Sequence, residues 1–168
     1  SGGVVTLTAQ WTKQVTVSYD LNGGTGTVPS ATTVDSGTTV TPVNNTFAKA
    51  GYTPNGWNTA ADGTGTAYAD GATLAPTENV TLYAQWSPAT ASYTVIQYLQ
   101  NVDGTAYVED TSHISKTGTT GTTAQADDAD TPTGFTRNDS GSGAVVSATI
   151  AGDGTTTLKL YYDRNSYD

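Results

Sequence analysis

Val80-Thr81-Leu82-Tyr83-Ala84-Gln85-Trp86 stands a second time in this chain, with one change, as Val5-Thr6-Leu7-Thr8-Ala9-Gln10-Trp11. Laid out as a strand, each copy sends Val, Leu, Ala and Trp to one face and its polar residues to the other, the period-two pattern of a sheet with one buried side. The single difference, Thr8 against Tyr83, falls on the outward face, where a packed fold tolerates change. The two segments therefore read as the last strand of two successive copies of one module. Residues 1–12 are expected to be the end of a preceding repeat, and residues 13–86 a complete one.

Working back from Trp86, Val15-Thr16-Val17-Ser18-Tyr19-Asp20 alternates cleanly and reads as the opening strand. Asn22-Gly23-Gly24 supplies the positive backbone angles of a tight turn, so an extended return through Val28 and Val34 is predicted. Asp35-Ser36-Gly37 marks another turn, and Pro42 keeps the stretch from Thr38 to Val43 extended. From Asn44 to Gly51 the sequence predicts a short helix, with Asn as cap and Gly51 at the left-handed closing position. Gly56-Trp57-Asn58-Thr59 reads as a strand, Asp62-Gly63-Thr64-Gly65 as a hairpin-like turn, and residues 80–86 as the closing strand. A single helix clasped by a mixed sheet buries that pattern.

Several of these segments form a recognisable series. Tyr19-Asp20-Leu21-Asn22-Gly23-Gly24, Gly51-Tyr52-Thr53, Gly56-Trp57-Asn58, Asp62-Gly63-Thr64-Gly65-Thr66-Ala67-Tyr68 and Leu82-Tyr83-Ala84-Gln85-Trp86 resemble, in order and spacing, the Listeria-Bacteroides repeat, the B-repeat type module of internalin-like bacterial surface proteins. The resemblance implies a small β-grasp-like fold, secretion, attachment to a bacterial cell envelope of the Gram-positive kind, and a place among neighbouring repeats of one chain. Pro54-Asn55 departs from the family pattern, which has an aromatic residue there. Proline lacks a backbone donor, so pairing at that point is expected to be interrupted or at an edge.

Ser87-Pro88-Ala89-Thr90-Ala91-Ser92 reads as a small-residue linker over residues 87–92. A second module is expected over residues 93–163. It has a strand at Tyr93–Leu99, a turn at Asn101-Val102-Asp103-Gly104, a return at Ala106-Tyr107-Val108, a flexible Thr117–Gly121 and a brief helix between Thr122 and Asp130. Gly134-Phe135-Thr136 then sits where Gly51-Tyr52-Thr53 sat, and Thr157–Tyr162 closes the module. By spacing and a few glycine-aromatic pairs it looks like the mucin-binding-protein type of repeat. Residues 164–168 read as the start of a further linker or repeat. The predicted fold is thus mainly β with one short helix per module (α+β), two β-grasp-like modules in tandem.

Composition narrows the function. With 15 acidic against 6 basic residues in 168 and a net charge of -9, the chain would repel phosphate, which argues against nucleic acid or an anionic membrane as partner. No apolar run reaches membrane-spanning length, so no membrane insertion by these residues is expected. Cysteine is absent, which removes disulfides and thiolate chemistry. His113 is the only imidazole, and Ser140-Gly141-Ser142-Gly143 lacks the leading glycine of a nucleophile elbow. No enzyme, cofactor or resident metal is expected. Asp127, Asp128 and Asp130 form the one carboxylate cluster to weigh as a Ca²⁺ ligand set, against a solvated acidic loop. Lys13 or Lys159 with Asn165 is the pair to weigh for a Lys–Asn crosslink, against ordinary surface lysines. Trp11, Trp57 and Trp86 are to be weighed as carbohydrate-stacking platforms against core packing; Trp57 and Trp86 fall on the faces assigned to the interior, which makes outward-facing Tyr83 and Tyr161 the better binding candidates.

Two functions remain in view. One is a non-enzymatic stalk or spacer of an extracellular, cell-wall-attached protein that presents an adhesive region. The other is an adhesive module that engages host glycoprotein, mucin or a partner chain through an exposed sheet edge or loops.

Overall fold

The computed structural model describes residues 2–4 and 8–166. The chain divides into two compact units, residues 1–49 with 54–86, and residues 50–53 with 87–168. The first unit is built on β1 (Gln14–Asp20), β2 (Thr32–Asp35), β3 (Tyr52–Asn58), β4 (Ala67–Tyr68) and β5 (Val80–Pro88) in the order β2-β1-β5-β3-β4. β1 runs antiparallel to β2 and parallel to β5, and β3 runs antiparallel to β4. Val15 and Val17 of β1, Leu82 and Ala84 of β5, and Trp57 of β3 are wholly buried, as their alternation predicts. Leu21 and Leu74 complete that core, and Tyr19, Phe47, Val80 and Trp86 pack against it half-buried.

The second unit has β6 (Thr90–Gln100), β7 (Tyr107–Glu109), β8 (Ile114–Thr119), β9 (Thr123–Gln125), β10 (Phe135–Arg137), β11 (Ser147–Thr149) and β12 (Thr157–Arg164). Its main sheet runs β10-β12-β6-β7, with β8 also paired to β6, and β9 and β11 form a separate pair. β12 lies parallel to β6, while β7, β8 and β10 are antiparallel to their neighbours. Its own core comprises Ala91, Tyr93, Val95, Ala124, Ile150, Leu158, Leu160 and Tyr162.

Both predicted helices are absent, so the chain is mainly β rather than α+β. In the first unit the stretch from Asn44 to Gly51 is irregular, with a bridge from Ala48 to Thr25 and a turn at Ala50 and Gly51. Thr25 N–H donates to the Ala48 carbonyl at 2.7 Å, and the buried Asn45 amide bridges the carbonyls of Gly56 at 2.9 Å and Gln85 at 3.2 Å instead of capping a helix. Eight residues, with two Asn, a Thr and a Phe ahead of the helix-tolerant Ala-Lys-Ala, do not repay helix nucleation when such partners are at hand. In the second unit Ala124 is buried in β9 opposite Ala148. Only Asp128–Asp130 curls, as a single 3-10 turn capped by the Asp127 side chain on Ala129 N–H.

Three other expectations are corrected. Of residues 87–92, read as a linker, only Ala89 lies outside a strand, and Ala91 is buried in the second core. Thr117–Gly121, read as flexible, is mostly β8, six residues in register with β6. Of the first copy of the heptapeptide, residues 5–7 lie outside the described residues, and Thr8–Trp11 form no strand, with Trp11 94% exposed. β1 already has β2 on one side and β5 on the other, so the second copy fills the place a closing strand takes. Pro54 lies within β3, where β4 reaches only Trp57 and Asn58, so its missing donor leaves no β4 partner unpaired.

Candidate functional site

The recurring motif residues of the first unit meet at one end of the β1–β5 pair. Asn22 takes a positive φ of 49°, its N–H bonded to Asp20 Oδ1 at 2.8 Å and its side-chain amide donating to the carbonyls of Ala61 at 2.7 Å and Ala84 at 3.0 Å. The Trp86 indole lies across the turn: its N–H donates to the Leu21 carbonyl at 3.1 Å, and a Cβ on Gly24 would come within 2.3 Å of the ring. The Lys49 ammonium stands 5.8 Å from the ring centroid. Trp57 donates to the Val43 carbonyl at 2.7 Å and meets Tyr19 and Phe47 edge-on. The indoles of Trp57 and Trp86 and the Asn22 amide are thereby used to close the core.

On the outward face of the second sheet, Tyr98 and Tyr161 sit opposite each other in the β6–β12 register, rings stacked with centroids 4.8 Å apart. Tyr107 meets Tyr161 edge-on at 5.1 Å, and the Gly141 backbone packs so closely that a Cβ there would lie 2.7 Å from the Tyr161 ring. The Ser140–Gly143 loop is thus a cover for Tyr161, which leaves this candidate little free ring face. The phenols are tied down as well. Tyr98 donates to Glu109 at 2.9 Å, Glu109 also meets His113 at 2.9 Å, and Tyr107 donates to Asp163, which Asn138 holds through both carboxylate oxygens. Bonding to carboxylates raises the Tyr98 and Tyr107 phenols above the ordinary tyrosine range, and Tyr98 followed by His113 holds Glu109 below that of a free carboxylate. Tyr83, the other candidate, stands half-buried on the outward face of β5.

The three aspartates do not converge. Asp130 and Asp127 face the Lys116 ammonium, the latter at 3.7 Å, while Asp128 pairs with Arg137 at 2.6 Å, and Arg137 also holds Asp139 at 2.8 Å. Among the described residues no group of three His, Cys, Asp or Glu side chains is arranged to hold a metal ion. Asp130 above all, then Asp127, raises the Lys116 ammonium above its ordinary range. We expect Lys116→Ala to lower the stability of this unit by about 1 kcal/mol, as for a partly exposed ion-pair network, while added Ca²⁺ leaves the melting temperature unchanged. A Ca²⁺-dependent rise in calorimetric melting would reverse that reading of the cluster.

Nor does the structure bring the crosslink candidates together. Lys13 pairs with Glu78 at the surface, and Lys159 is an exposed residue of β12. Asn165 lies six residues further along the same extended run, roughly 20 Å at strand rise, and its side chain accepts from Thr136 at 2.7 Å. Four surface depressions, of about 310, 270, 300 and 270 Å³, sit near the lower end of ligand-site volumes. One of them lies over residues 74–80, where Glu78 is the only ionisable side chain besides Tyr68.

One device occurs in both units and escaped the sequence reading. Asp62 accepts from both the N–H and the hydroxyl of Thr64, at 3.1 and 2.7 Å, and Asp153 does the same with Thr155, at 3.0 and 2.7 Å. The threonine bonds pull both carboxyls below the ordinary aspartate range. A folded-state value below the unfolded one contributes stability that is complete above the unfolded value of about 3.9 and is lost as pH falls through the lowered one. Carboxyl NMR titration should therefore place both groups below a free aspartate. Thr64→Val and Thr155→Val should each return the neighbouring carboxyl toward the ordinary value.

Comparison with known proteins fits the first of these patterns. Residues 16–85 match the family model of the Listeria-Bacteroides repeat domain. This segment is a Listeria-Bacteroides repeat. Within the repeat, the Asn22–Gly24 turn, Gly56-Trp57 and the closing Gln85-Trp86 are the residues that build and seal the core. Two proteins of Evansella cellulosilytica are similar to stretches of this chain. One, named "Putative Gly-rich membrane protein", is 44% identical over 86 residues, 48% of this chain and 10% of its own length. The other, named "Putative membrane protein", is 31% identical over 166 residues, 92% of this chain and 24% of its own length. The chain therefore spans a quarter or less of these relatives. Among its described residues no helix is long and apolar enough to cross a membrane.

Proposed function

We propose that this chain is a non-enzymatic repeat section of a bacterial cell-surface protein, a spacer that holds an adhesive region away from the envelope. The observation that carries this reading is how each unit uses its side chains. The apolar ones fill a core of its own, and the carboxylates, imidazole and phenols of the second sheet face pair with one another. The repeat match, and relatives named as membrane proteins many times longer than this chain, support a place within a larger envelope-associated polypeptide. Its partners on this account are the neighbouring repeats of the same chain, and its location is extracellular.

A second reading, an adhesive module for host glycoprotein or mucin, draws on the half-exposed Tyr83 and on β8, which is bonded to β6 along one side only. Titration of the purified chain against mucin and a glycan array separates the two. The spacer reading expects no saturable binding. Saturable binding that is lost in Tyr83→Ala would replace it with the adhesive one.

A further inference from the structure

The first and last strands of each unit are neighbours in the middle of its sheet, and they are parallel. β1 and β5 share four register pairs, Val17↔Val80 to Asp20↔Tyr83, with β2 on the far side of β1 and β3 on the far side of β5. β6 and β12 share six, Thr94↔Thr157 to Leu99↔Tyr162, flanked by β7 and β8 on one side and β10 on the other. In a parallel pair the start of one strand and the end of the other lie at opposite ends. Tension that enters at the beginning of β1 or β6 and leaves at the end of β5 or β12 therefore slides the two strands along their common axis and loads every rung together. Pulling at the two starts instead would open the rungs one after another.

Other contacts resist the same sliding. Across β1 and β5, Ser18 and Thr81 hydroxyls meet at 3.0 Å, Trp86 N–H holds the Leu21 carbonyl, and the Asn22 amide holds the Ala84 carbonyl. Across β6 and β12, Tyr98 stacks on Tyr161. The core-facing residues of these strands, Val17 and Leu82 in one unit and Val95, Leu158 and Leu160 in the other, are at most 1% exposed. Water is thus kept from one side of the rungs, and neighbouring strands deny it the sheet edge. A single residue, Ala89, separates β5 from β6 in sequence, so the covalent path leads from one such pair directly into the next.

We propose that each unit is a shear clamp that carries tension along the polypeptide, so that the spacer is built to bear load as well as to span distance. This rests on the spacer reading above. With six pairs against four, the second unit is the stronger of the two.

The full chain lacks cysteine, so paired cysteine handles are its only thiols. Thr90, Thr155 and Ser166 are exposed, which lets handles be placed without touching either core. Single-molecule pulling between Thr90→Cys and Ser166→Cys loads β6 against β12 in shear. Pulling between Thr90→Cys and Thr155→Cys loads the same pair from one end. The shear pair should unfold at roughly twice the force of the one-ended pair or more, because several rungs yield together instead of singly. Equal forces in the two geometries would overturn the clamp while leaving the surface-repeat reading intact. Saturable mucin binding would remove the spacer reading and leave the force ratio unchanged.

Discussion

Trp57→Ala is expected to destabilise the first unit by about 3–5 kcal/mol, the range for truncating a buried aromatic residue to a methyl group. Trp57 is 1% exposed, its indole N–H donates to the Val43 carbonyl, and its ring meets Tyr19 and Phe47 edge-on, with centroids 5.1 and 6.0 Å away. Removal leaves a cavity bounded by both rings and a carbonyl without its donor. A small domain has about 5–15 kcal/mol in all, so this change should bring the unit close to unfolding at room temperature. The measurement is urea denaturation followed by tryptophan fluorescence. All three tryptophans, Trp11, Trp57 and Trp86, belong to the first unit, and half-buried Trp86 remains as reporter in the variant. Trp57→Phe keeps most of the ring contacts and loses the hydrogen bond, so its effect should be smaller, about 1–3 kcal/mol. If Trp57→Ala melts within 1 kcal/mol of the parent chain, roughly the size of a surface change, the tryptophan-centred core is wrong.

The second large effect is expected one residue earlier. Gly56 has φ of 68°, and a Cβ built on it would lie 2.4 Å from the Tyr68 carbonyl oxygen and 3.1 Å from the Ala69 backbone. Gly56→Ala therefore combines left-handed backbone strain of about 1–2 kcal/mol with a clash against backbone that has little freedom to retreat, a further 1–3 kcal/mol or so. Gly71 provides the comparison, with φ of 80° and nothing within 4 Å of its Cβ position. Gly71→Ala should show the strain alone. The difference between the two variants in denaturant midpoint isolates the close approach of β3 to the chain leaving β4, and equal effects would rule that approach out.

The strands were legible where alternation and a sealing aromatic coincide. Val15 and Val17, Leu82 and Ala84, and Leu158 and Leu160 lie buried on the faces their spacing indicates, and Trp57 is central. The helices are not legible because Asn, Ala and Gly at cap-like spacing carry the same local signal whether or not a distant partner claims the backbone. Asn45 looked like a cap and is instead a strut between two strands. Small residues at 87–92 looked like a hinge because strand partners are invisible in a local window, and β6 finds β8 more than twenty residues downstream. Residue type alone nominates the candidate site residues. What cancels them comes from other elements: Lys116 and Arg137 against the aspartates, and Gly141, Tyr98 and Tyr107 around Tyr161. No pattern along the chain announces that pairing.

The Asn22–Gly23 turn has a consequence for how the molecule ages. An asparagine followed by glycine is prone to cyclise through attack of the next backbone nitrogen on the side-chain carbonyl carbon, which releases ammonia and leaves a succinimide that water then opens to aspartate or isoaspartate. Here the Asn22 amide is held by the carbonyls of Ala61 and Ala84 at a fixed backbone angle, which restrains the rotation that attack requires. The intact fold is thus its own preservative, and isoaspartate accumulating at this position would mark how long a given copy has spent unfolded.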